Sequence, residues 1–227
     1  MSDSAYLLAI DTCGPSGSVA LGCISGEAVE ILGQIELEGR SYSATLVAAV
    51  GELLAQAGIK LSQLHAMVAV NGPGSFTGVR VGLAAVKGLA ESARIPVVAV
   101  SRLEVLAAKS GVASAALDAH RHEVFLRLEL AGEESRELLA GARELTSISP
   151  APPRIAVCDE AAALLLTSAW PDSVLVRTAP PTAADALALC APRVTAGEFA
   201  NLVLLDGHYL RRSDAEIFGD PVAAAHS

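Results

Sequence analysis

The sequence predicts an α/β protein of two related halves, each a mixed β-sheet with helices, in which the second half is degenerate. The first half opens with three strand patterns joined as hairpins and continues with alternating helices and strands, an order typical of a mixed sheet. The second half begins with two more strand patterns in the same order. The two halves share a short similar segment. Ala9-Ile10-Asp11 in the first half and Ala116-Leu117-Asp118 in the second each end an apolar strand pattern, and each is followed by a turn and another strand pattern. A duplicated unit implies a pseudo-symmetric pair with a cleft between its members.

In the first half, short apolar runs predict the strands and a helical period of apolar residues predicts the helices. The predicted strands are 6–11, 18–24, 29–37, 66–70 and 96–100. Helices are predicted over about 41–57 and 75–93, and a third begins after residue 100. Ser75 or Thr77 is the expected N-cap of the second helix, since a hydroxyl there accepts a hydrogen bond from a free backbone N–H.

In the second half, strands are predicted at 115–119, 124–130, 154–159 and 174–177, with helices at 161–169 and 183–189. Compared with the first half, the helix between its third and fourth strands is expected to be missing. We place the subdomain boundary after residue 102, which gives an N-terminal subdomain 1–102 and a degenerate C-terminal subdomain 103–227.

Charge and composition exclude several classes of protein. The formal net charge is −9, from 16 basic and 25 acidic residues, which argues against strong direct binding to nucleic acid. Every apolar run is interrupted before about 18 residues, so no membrane span is expected, and the first residues do not resemble a signal peptide. The four cysteines are scattered without a C-x-x-C pair, so neither a zinc site nor a disulfide framework is predicted. We expect a cytoplasmic protein whose role near RNA, if it has one, runs through a partner.

A glycine-rich stretch, Asn71-Gly72-Pro73-Gly74-Ser75, joins a buried strand to a helix. Free N–H groups at a helix start attract anions, but the spacing matches neither the dinucleotide fingerprint nor a P-loop. A phosphate cradle and a tightly packed turn therefore both remain open. Asp11 and Asp118 are likewise suited either to hold a hydrated magnesium ion facing the cleft or to cap a turn. The candidate residues of a vestigial nucleotide site are Asp11, Thr12, Gly72, Gly74, Ser75 and Asp118.

The first two predicted helices each carry a stripe of mostly small residues. The stripes are Ala44, Ala48, Gly51 and Ala55 on the first helix, and Gly78, Gly82, Ala85 and Leu89 on the second. Each interior glycine costs about 1 kcal/mol relative to alanine, which close approach of another helix would offset. The residues alone leave open whether the stripes are used within one domain or against a second chain.

Several motifs together resemble the TsaB family, also called YeaZ. They are Leu8 to Thr12, the run N-G-P-G-S-F-T-G-V-R-V-G from Asn71 to Gly82, A-V-K-G from Ala85, Pro96 to Ser101, and Ala116 to Ala119. The similarity covers roughly the first 125 residues. It implies an actin-like, Hsp70-like (ribonuclease H-like) double domain. It also implies a non-catalytic partner of the catalytic paralogue TsaD which, with TsaE, supports threonylcarbamoyl transfer to the adenosine next to the tRNA anticodon.

The resemblance favours the second-chain interpretation of the stripes, because this family pairs with its partner through these two helices. We therefore assign both stripes to the partner interface, and leave open whether the chain alone forms a homodimer. For Gly82 we predict that leucine blocks partner binding and leaves the melting temperature within a few degrees of wild type.

The chain departs from the catalytic paralogue where that protein has an H-x-x-x-H metal pair. The corresponding stretch, Arg40 to Leu46, contains no histidine. His120 and His122 are expected to share one face of a strand as an exposed edge pair without a third ligand. Asp11 is followed by Thr-Cys-Gly and lacks the Gly-Thr phosphate loop of actin-like kinases. We predict no catalytic residue, no metal site and no cofactor, and leave open weak ATP or ADP binding with magnesium at a subunit interface.

Two alternative functions remain at this point. One is an actin-like, ATP-dependent phosphotransferase in which Asp11 and Asp118 hold magnesium and residues 72–75 contact phosphate. The other is a metallopeptidase, which the missing histidine pair disfavours.

Overall fold

The computed structural model describes residues 5–26, 28–38, 41–130 and 134–211, and it contains two five-stranded sheets of identical topology. The first-sheet strands are β1 (Ala5–Asp11), β2 (Ser16–Ser25), β3 (Ala28–Glu38), β4 (Leu64–Val70) and β5 (Val97–Val100). The second-sheet strands are β6 (Ser114–Asp118), β7 (Glu123–Leu128), β8 (Arg136–Gly141), β9 (Arg154–Val157) and β10 (Val174–Arg177). The strand order is β3-β2-β1-β4-β5 in the first sheet and, correspondingly, β8-β7-β6-β9-β10 in the second. The predicted fold class, a duplicated α/β unit with mixed sheets, is confirmed.

In each sheet the first three strands form antiparallel hairpins and the last two join in parallel. The carboxyl ends of β1 and β4 therefore meet at one edge of the first sheet. The segments that follow them, residues 12–15 and 71–75, are brought side by side at that edge.

Six α-helices accompany the sheets within the described residues. They are α1 (Tyr42–Gln56), α2 (Phe76–Ala93), α3 (Arg102–Ser110), α4 (Ala142–Ser147), α5 (Glu160–Ala169) and α6 (Ala183–Thr195). Helices α1 and α2 contact each other and pack on the first sheet, while α4 and α5 contact each other and pack on the second. None of the helices in the described ranges is both long and apolar enough to cross a membrane.

The two remaining helices are exchanged between the halves. Helix α3 follows the first sheet along the chain but packs on β6, β7 and β9, whereas α6 follows the second sheet and packs on all five strands of the first. Leu103 and Leu106 of α3 are buried in a cluster with second-sheet residues, and Leu187 and Cys190 of α6 are buried in the first core. A boundary after residue 102 coincides with the start of α3, but it does not separate the two cores.

The helix expected to be missing from the second half is present as the short helix α4. Leu145 of α4 is fully buried, and the Trp170 indole N–H donates to the Leu145 carbonyl at 3.0 Å. The prediction overlooked α4 because a six-residue segment is too short to show a helical period. It also overlooked β8, a sheet-edge strand whose residues are mostly only half-buried.

Candidate functional site

Asp11, the last residue of β1, is the centre of the edge where β1 and β4 meet. It is 1% exposed. Its Oδ1 accepts a hydrogen bond from the Cys13 backbone N–H at 2.8 Å, and its Oδ2 accepts one from Arg102 Nε at 3.1 Å. Both carboxylate oxygens are thus used by groups of the chain itself.

Arg102 reaches Asp11 from the first turn of α3, and its side chain is 7% exposed. Burial by itself lowers the pKa of the Arg102 guanidinium, but the neighbouring Asp11 carboxylate outweighs that effect, so the pKa is raised. The guanidinium also fills the space above the β1–β2 turn, because a Cβ at Gly14 would collide with it. A fixed positive charge therefore lies beside Asp11, where a hydrated cation would otherwise have to lie.

The glycine-rich segment is packed against the same turn. The Ser75 N–H donates to the Cys13 carbonyl at 2.8 Å, and a Cβ at Gly74 would collide with that carbonyl. Gly72 has φ +116° and lies against the His208 backbone, with 3.0 Å between the position of a Cβ and the His208 oxygen. Of the two interpretations left open by the sequence, the geometry favours the tightly packed turn over the phosphate cradle.

Two further side chains close this edge of the sheet. The Tyr42 hydroxyl donates to the Gly14 carbonyl at 2.9 Å, and burial, followed by the Asp11 charge, raises the pKa of that phenol to about 12. The Cys13 thiol contacts the Val70 carbonyl at 3.3 Å, and burial raises the pKa of the thiol well above its usual value. Cys13 therefore stays protonated and unreactive at neutral pH.

Gly78 and Gly82 face this closed edge, which corrects their assignment to the partner interface. The Thr12 hydroxyl donates to the Gly78 carbonyl at 2.7 Å. A Cβ at Gly78 would collide with the Thr12 carbonyl, and one at Gly82 would collide with the Thr12 hydroxyl. Ala85 and Leu89 of the same stripe are half-buried against the chain's own core. The close approach that these glycines permit is thus between α2 and β1 of one domain.

The stripe on α1 has the opposite orientation. Ala44, Ala48, Gly51 and Ala55 are all exposed. Val47 beside them is 59% exposed, and a Cβ at Gly51 would meet nothing within 4 Å. We call these five residues the outer face of α1. Its assignment as a partner interface remains a prediction, and the structure leaves the face accessible.

Asp118, the counterpart of Asp11 in the second sheet, is only loosely enclosed, with 26% of its side chain exposed. Its Oδ1 accepts from the His120 backbone N–H at 2.8 Å, and its Oδ2 lies 3.0 Å from His120 Nδ1.

His120 and His122 lie in the β6–β7 turn at φ 60°, not on a strand, so the predicted strand-edge pair is wrong. Alternating sequence positions suggested a strand, but the hairpin turns at these residues. Among the described residues, no group of three or more His, Cys, Asp or Glu side chains is arranged to hold a metal ion.

Comparison with known proteins identifies the chain. The structure matches that of YeaZ from Pseudomonas aeruginosa with a TM-score of 0.71 and 28% identity, over 91% of this chain and 100% of that one. Residues 31–148, more than half of the chain, match the family model described as TsaD, tRNA N6-adenosine threonylcarbamoyltransferase.

Two curated relatives are each named tRNA threonylcarbamoyladenosine biosynthesis protein TsaB. The Haemophilus influenzae protein is 38% identical over 125 residues (52% of this chain, 51% of the relative), and the Escherichia coli protein 35% identical over 128 residues (52% of each). The chain belongs to the TsaB (YeaZ) family. The matched region spans about half the length of these curated relatives.

In this TsaB-family chain, residues 200–211 form a C-terminal strap that links the two halves. The strap begins beside β5, where the Ala200 N–H donates to the Val97 carbonyl at 2.8 Å, and it crosses the glycine-rich segment, where the His208 N–H donates to the Asn71 carbonyl at 2.7 Å. It ends on the second half, where Arg211 pairs with Glu123. The start of the glycine-rich segment, Asn71 and Gly72, is thus covered by the strap.

Glu137 of β8 connects the strap to both halves. Its carboxylate accepts from the Ser101 hydroxyl at 2.6 Å and from Arg127 Nη1 at 3.2 Å, and lies 2.9 Å from His208 Nε2. Ser101 is also the N-cap of α3, through a hydrogen bond from the Leu103 N–H. Neither Glu137 nor Arg102 could be recognised from the sequence, because neither belongs to a motif and both act through residues distant along the chain.

The Glu137 cluster should make stability depend on pH. Burial raises the pKa of the Glu137 carboxyl, but the hydrogen bonds from His208, Ser101 and Arg127 outweigh burial and hold it below the ordinary value of 4.5. A folded-state pKa below the unfolded one stabilises the fold above the unfolded pKa, and this stabilisation is lost as the pH falls through the folded pKa.

We expect Glu137→Gln to lower the free energy of unfolding above about pH 5, and the deficit to shrink as the pH falls below the ordinary glutamate range. Urea unfolding of both proteins between about pH 3 and 7 measures this. An equal deficit at every pH would show that the charge of Glu137 does not contribute.

Proposed function

We propose that this chain is a non-catalytic partner subunit of the machinery that makes threonylcarbamoyladenosine on tRNA. In this role it binds the TsaD paralogue and, together with TsaE, supports the transfer of threonylcarbamoyl to the adenosine next to the anticodon. Membership of the TsaB family supports the pathway, since its curated members carry that biosynthetic name. A role on tRNA would place the protein in the cytoplasm.

The ion pair between Asp11 and Arg102 is the observation that carries the non-catalytic part of the proposal. Magnesium in a phosphotransferase site is bound through carboxylate oxygens and retains several water molecules. Here both Asp11 oxygens are engaged, and a guanidinium occupies the adjacent space. This arrangement argues against the phosphotransferase alternative. We assign no cofactor to the chain itself, and propose weak ATP or ADP binding with magnesium only at an interface between subunits.

The outer face of α1 supports the partner role. Small side chains let the backbone of another helix approach closely, and Val47 offers apolar area at the same place. We propose that the paralogue packs there, and that a homodimer uses the same face when the paralogue is absent. The net charge of −9 disfavours direct binding of this chain to tRNA, so other subunits would bind the tRNA.

A single substitution on this face tests the partner role. Mixed with the paralogue at micromolar concentration, the wild-type chain should form a complex by light scattering. Ala48→Arg should prevent the complex without changing the melting temperature, because Ala48 is exposed and a long charged side chain there blocks helix approach.

Ser168→Arg, on the exposed side of α5, is the matched control and should bind the paralogue normally. A wild-type chain that forms no complex would refute the proposed function. Normal binding by Ala48→Arg would place the interface elsewhere on the molecule.

A further inference from the structure

An arginine and two aromatic side chains form a surface cluster at the start of α2. The Arg80 guanidinium carbon lies 3.7 Å from the centroid of the Phe76 ring and 6.0 Å from that of Tyr209. The two rings are 5.1 Å apart at 47°. Phe76 is 41% and Tyr209 37% exposed, and Arg80 is exposed as well. The cluster joins α2 to the C-terminal strap, which contributes Tyr209.

The described part of the chain engages only the Nε edge of the Arg80 guanidinium. Within that part its hydrogen bond is a long one, 3.4 Å from Nε to the Tyr209 hydroxyl, and no carboxylate pairs with its Nη atoms. The contact with Phe76 and the hydrogen bond to Tyr209 restrain the guanidinium. This restraint reduces the entropy lost when the two Nη atoms bind a ligand.

The local field favours an anion at this position. Helical side chains point toward the N-terminus of their helix, and contact with Phe76 places the guanidinium at the level of the first turn of α2. Unsatisfied N–H groups make that end of a helix positive. The first turn of α2 contains no acidic residue. The positive helix end therefore lies near the positive charge of Arg80, and a bound carboxylate would reduce the repulsion between them.

We propose that Arg80 is the polar anchor of the partner interface, binding an aspartate or glutamate carboxylate on the surface of the TsaD paralogue, with Phe76 and Tyr209 as its apolar surround. This inference rests on the proposed function and extends it, since the interface predicted on α2 from the sequence did not include Arg80.

The surroundings favour a protein carboxylate over a phosphate. The outward positions one and two turns beyond Arg80 are Ala84 and Gly88, both exposed, so a partner helix can lie along α2 and bring its side chains to the guanidinium. Arginine with tyrosine at a partly exposed apolar position is the composition of an interface hot spot. Binding of an RNA backbone, in contrast, needs several clustered basic side chains, and Arg211 and Arg212 are the only adjacent Lys or Arg residues in the sequence.

Calorimetric titration of the purified paralogue into wild type, Arg80→Ala, Arg80→Lys and Arg154→Ala tests the inference. Arg80→Ala should weaken the complex by about 30-fold or more, as expected for a hot-spot arginine, and its affinity should depend less on salt than that of wild type. Arg80→Lys should recover only part of the affinity, because lysine lacks the planar fork. Arg154→Ala removes an exposed charge of the second half and should bind as wild type does.

Each contrary outcome has a distinct meaning. Absence of a wild-type complex would refute the proposed function and the inference together. A wild-type complex that Arg80→Ala forms equally well would refute the inference alone. A normal complex whose response to ATP or tRNA is lost in Arg80→Ala would reassign the residue to phosphate. A fall of more than a few degrees in the melting temperature of Arg80→Ala would also overturn the inference, since the guanidinium would then serve the monomer's own fold.

Discussion

Arg102→Met is expected to lower the free energy of unfolding by about 3–5 kcal/mol, the usual effect of removing one partner from a buried ion pair. Asp11 is 1% exposed and would be left in an apolar setting with a single hydrogen bond, from the Cys13 N–H. In a chain of this size the melting temperature should fall by about 6–20 °C. Thermal and urea unfolding measure the change.

The double variant Asp11→Asn/Arg102→Met separates the loss of the pair from the loss of packing. It should be clearly more stable than Arg102→Met alone, because the uncompensated charge is gone while the amide oxygen still accepts from the Cys13 N–H. Arg177→Met, which breaks the exposed pair with Glu160, should leave the melting temperature almost unchanged. A double variant no more stable than the single one would show that the charge of Asp11 is not what makes Arg102 necessary.

Gly82→Leu is expected to destabilise the monomer by about 3 kcal/mol, at the upper end of the usual range for an overpacked core. Even the first atom of a side chain at Gly82 would collide with the Thr12 hydroxyl, which is itself held by its bond to the Gly78 carbonyl. Helix α2 would have to move away from β1, which disturbs the closed edge around Asp11. This result is the opposite of the sequence-based prediction, which expected an unchanged melting temperature.

Gly88→Leu on the same helix is the matched control. A Cβ there meets nothing within 4 Å, and Gly88 is exposed, so this variant should gain up to roughly 0.8 kcal/mol of helix propensity. The two variants differ only in which side of α2 they occupy. Equal melting temperatures would mean that α2 can move to accommodate a side chain at Gly82 without a loss of stability. The explanation by close packing would then be wrong.

The contrast between Gly82 and Gly51 shows what a periodic pattern can and cannot reveal. Both glycines belong to stripes of small residues at helical spacing, and the sequence treated them alike. Each helix, however, carries more than one apolar or small stripe, and only tertiary packing decides which stripe covers the sheet. In α1 the larger residues, such as Leu46 and Leu53, turn inward and the small ones outward, whereas in α2 Gly78 and Gly82 turn inward to admit the turn after β1.

Most strands and helices followed from local patterns, because a buried strand or an amphipathic helix leaves its period in the sequence. Ser75 is indeed the N-cap of α2, accepting from the Gly78 N–H at 3.2 Å. The packing around Asp11 could not be predicted from local patterns, since its ion-pair partner Arg102 lies 91 positions away along the chain. Family resemblance indicated the fold, but it could not indicate that Arg102 fills the space beside that carboxylate.

The exchange of α3 and α6 between the halves has a consequence for the order in which the protein can fold during synthesis. The first sheet is complete once Val100 has left the ribosome, but α6, which packs across all five of its strands, ends only at Thr195. Until α6 has been synthesised, the apolar face of the first sheet that later packs against Leu187 and Cys190 is not covered by this helix. An exposed apolar sheet on a nascent chain is a target for chaperones and a site of aggregation. A translation pause between residues 100 and 195 should therefore prolong the aggregation-prone interval, whereas a pause after α6 has emerged should not.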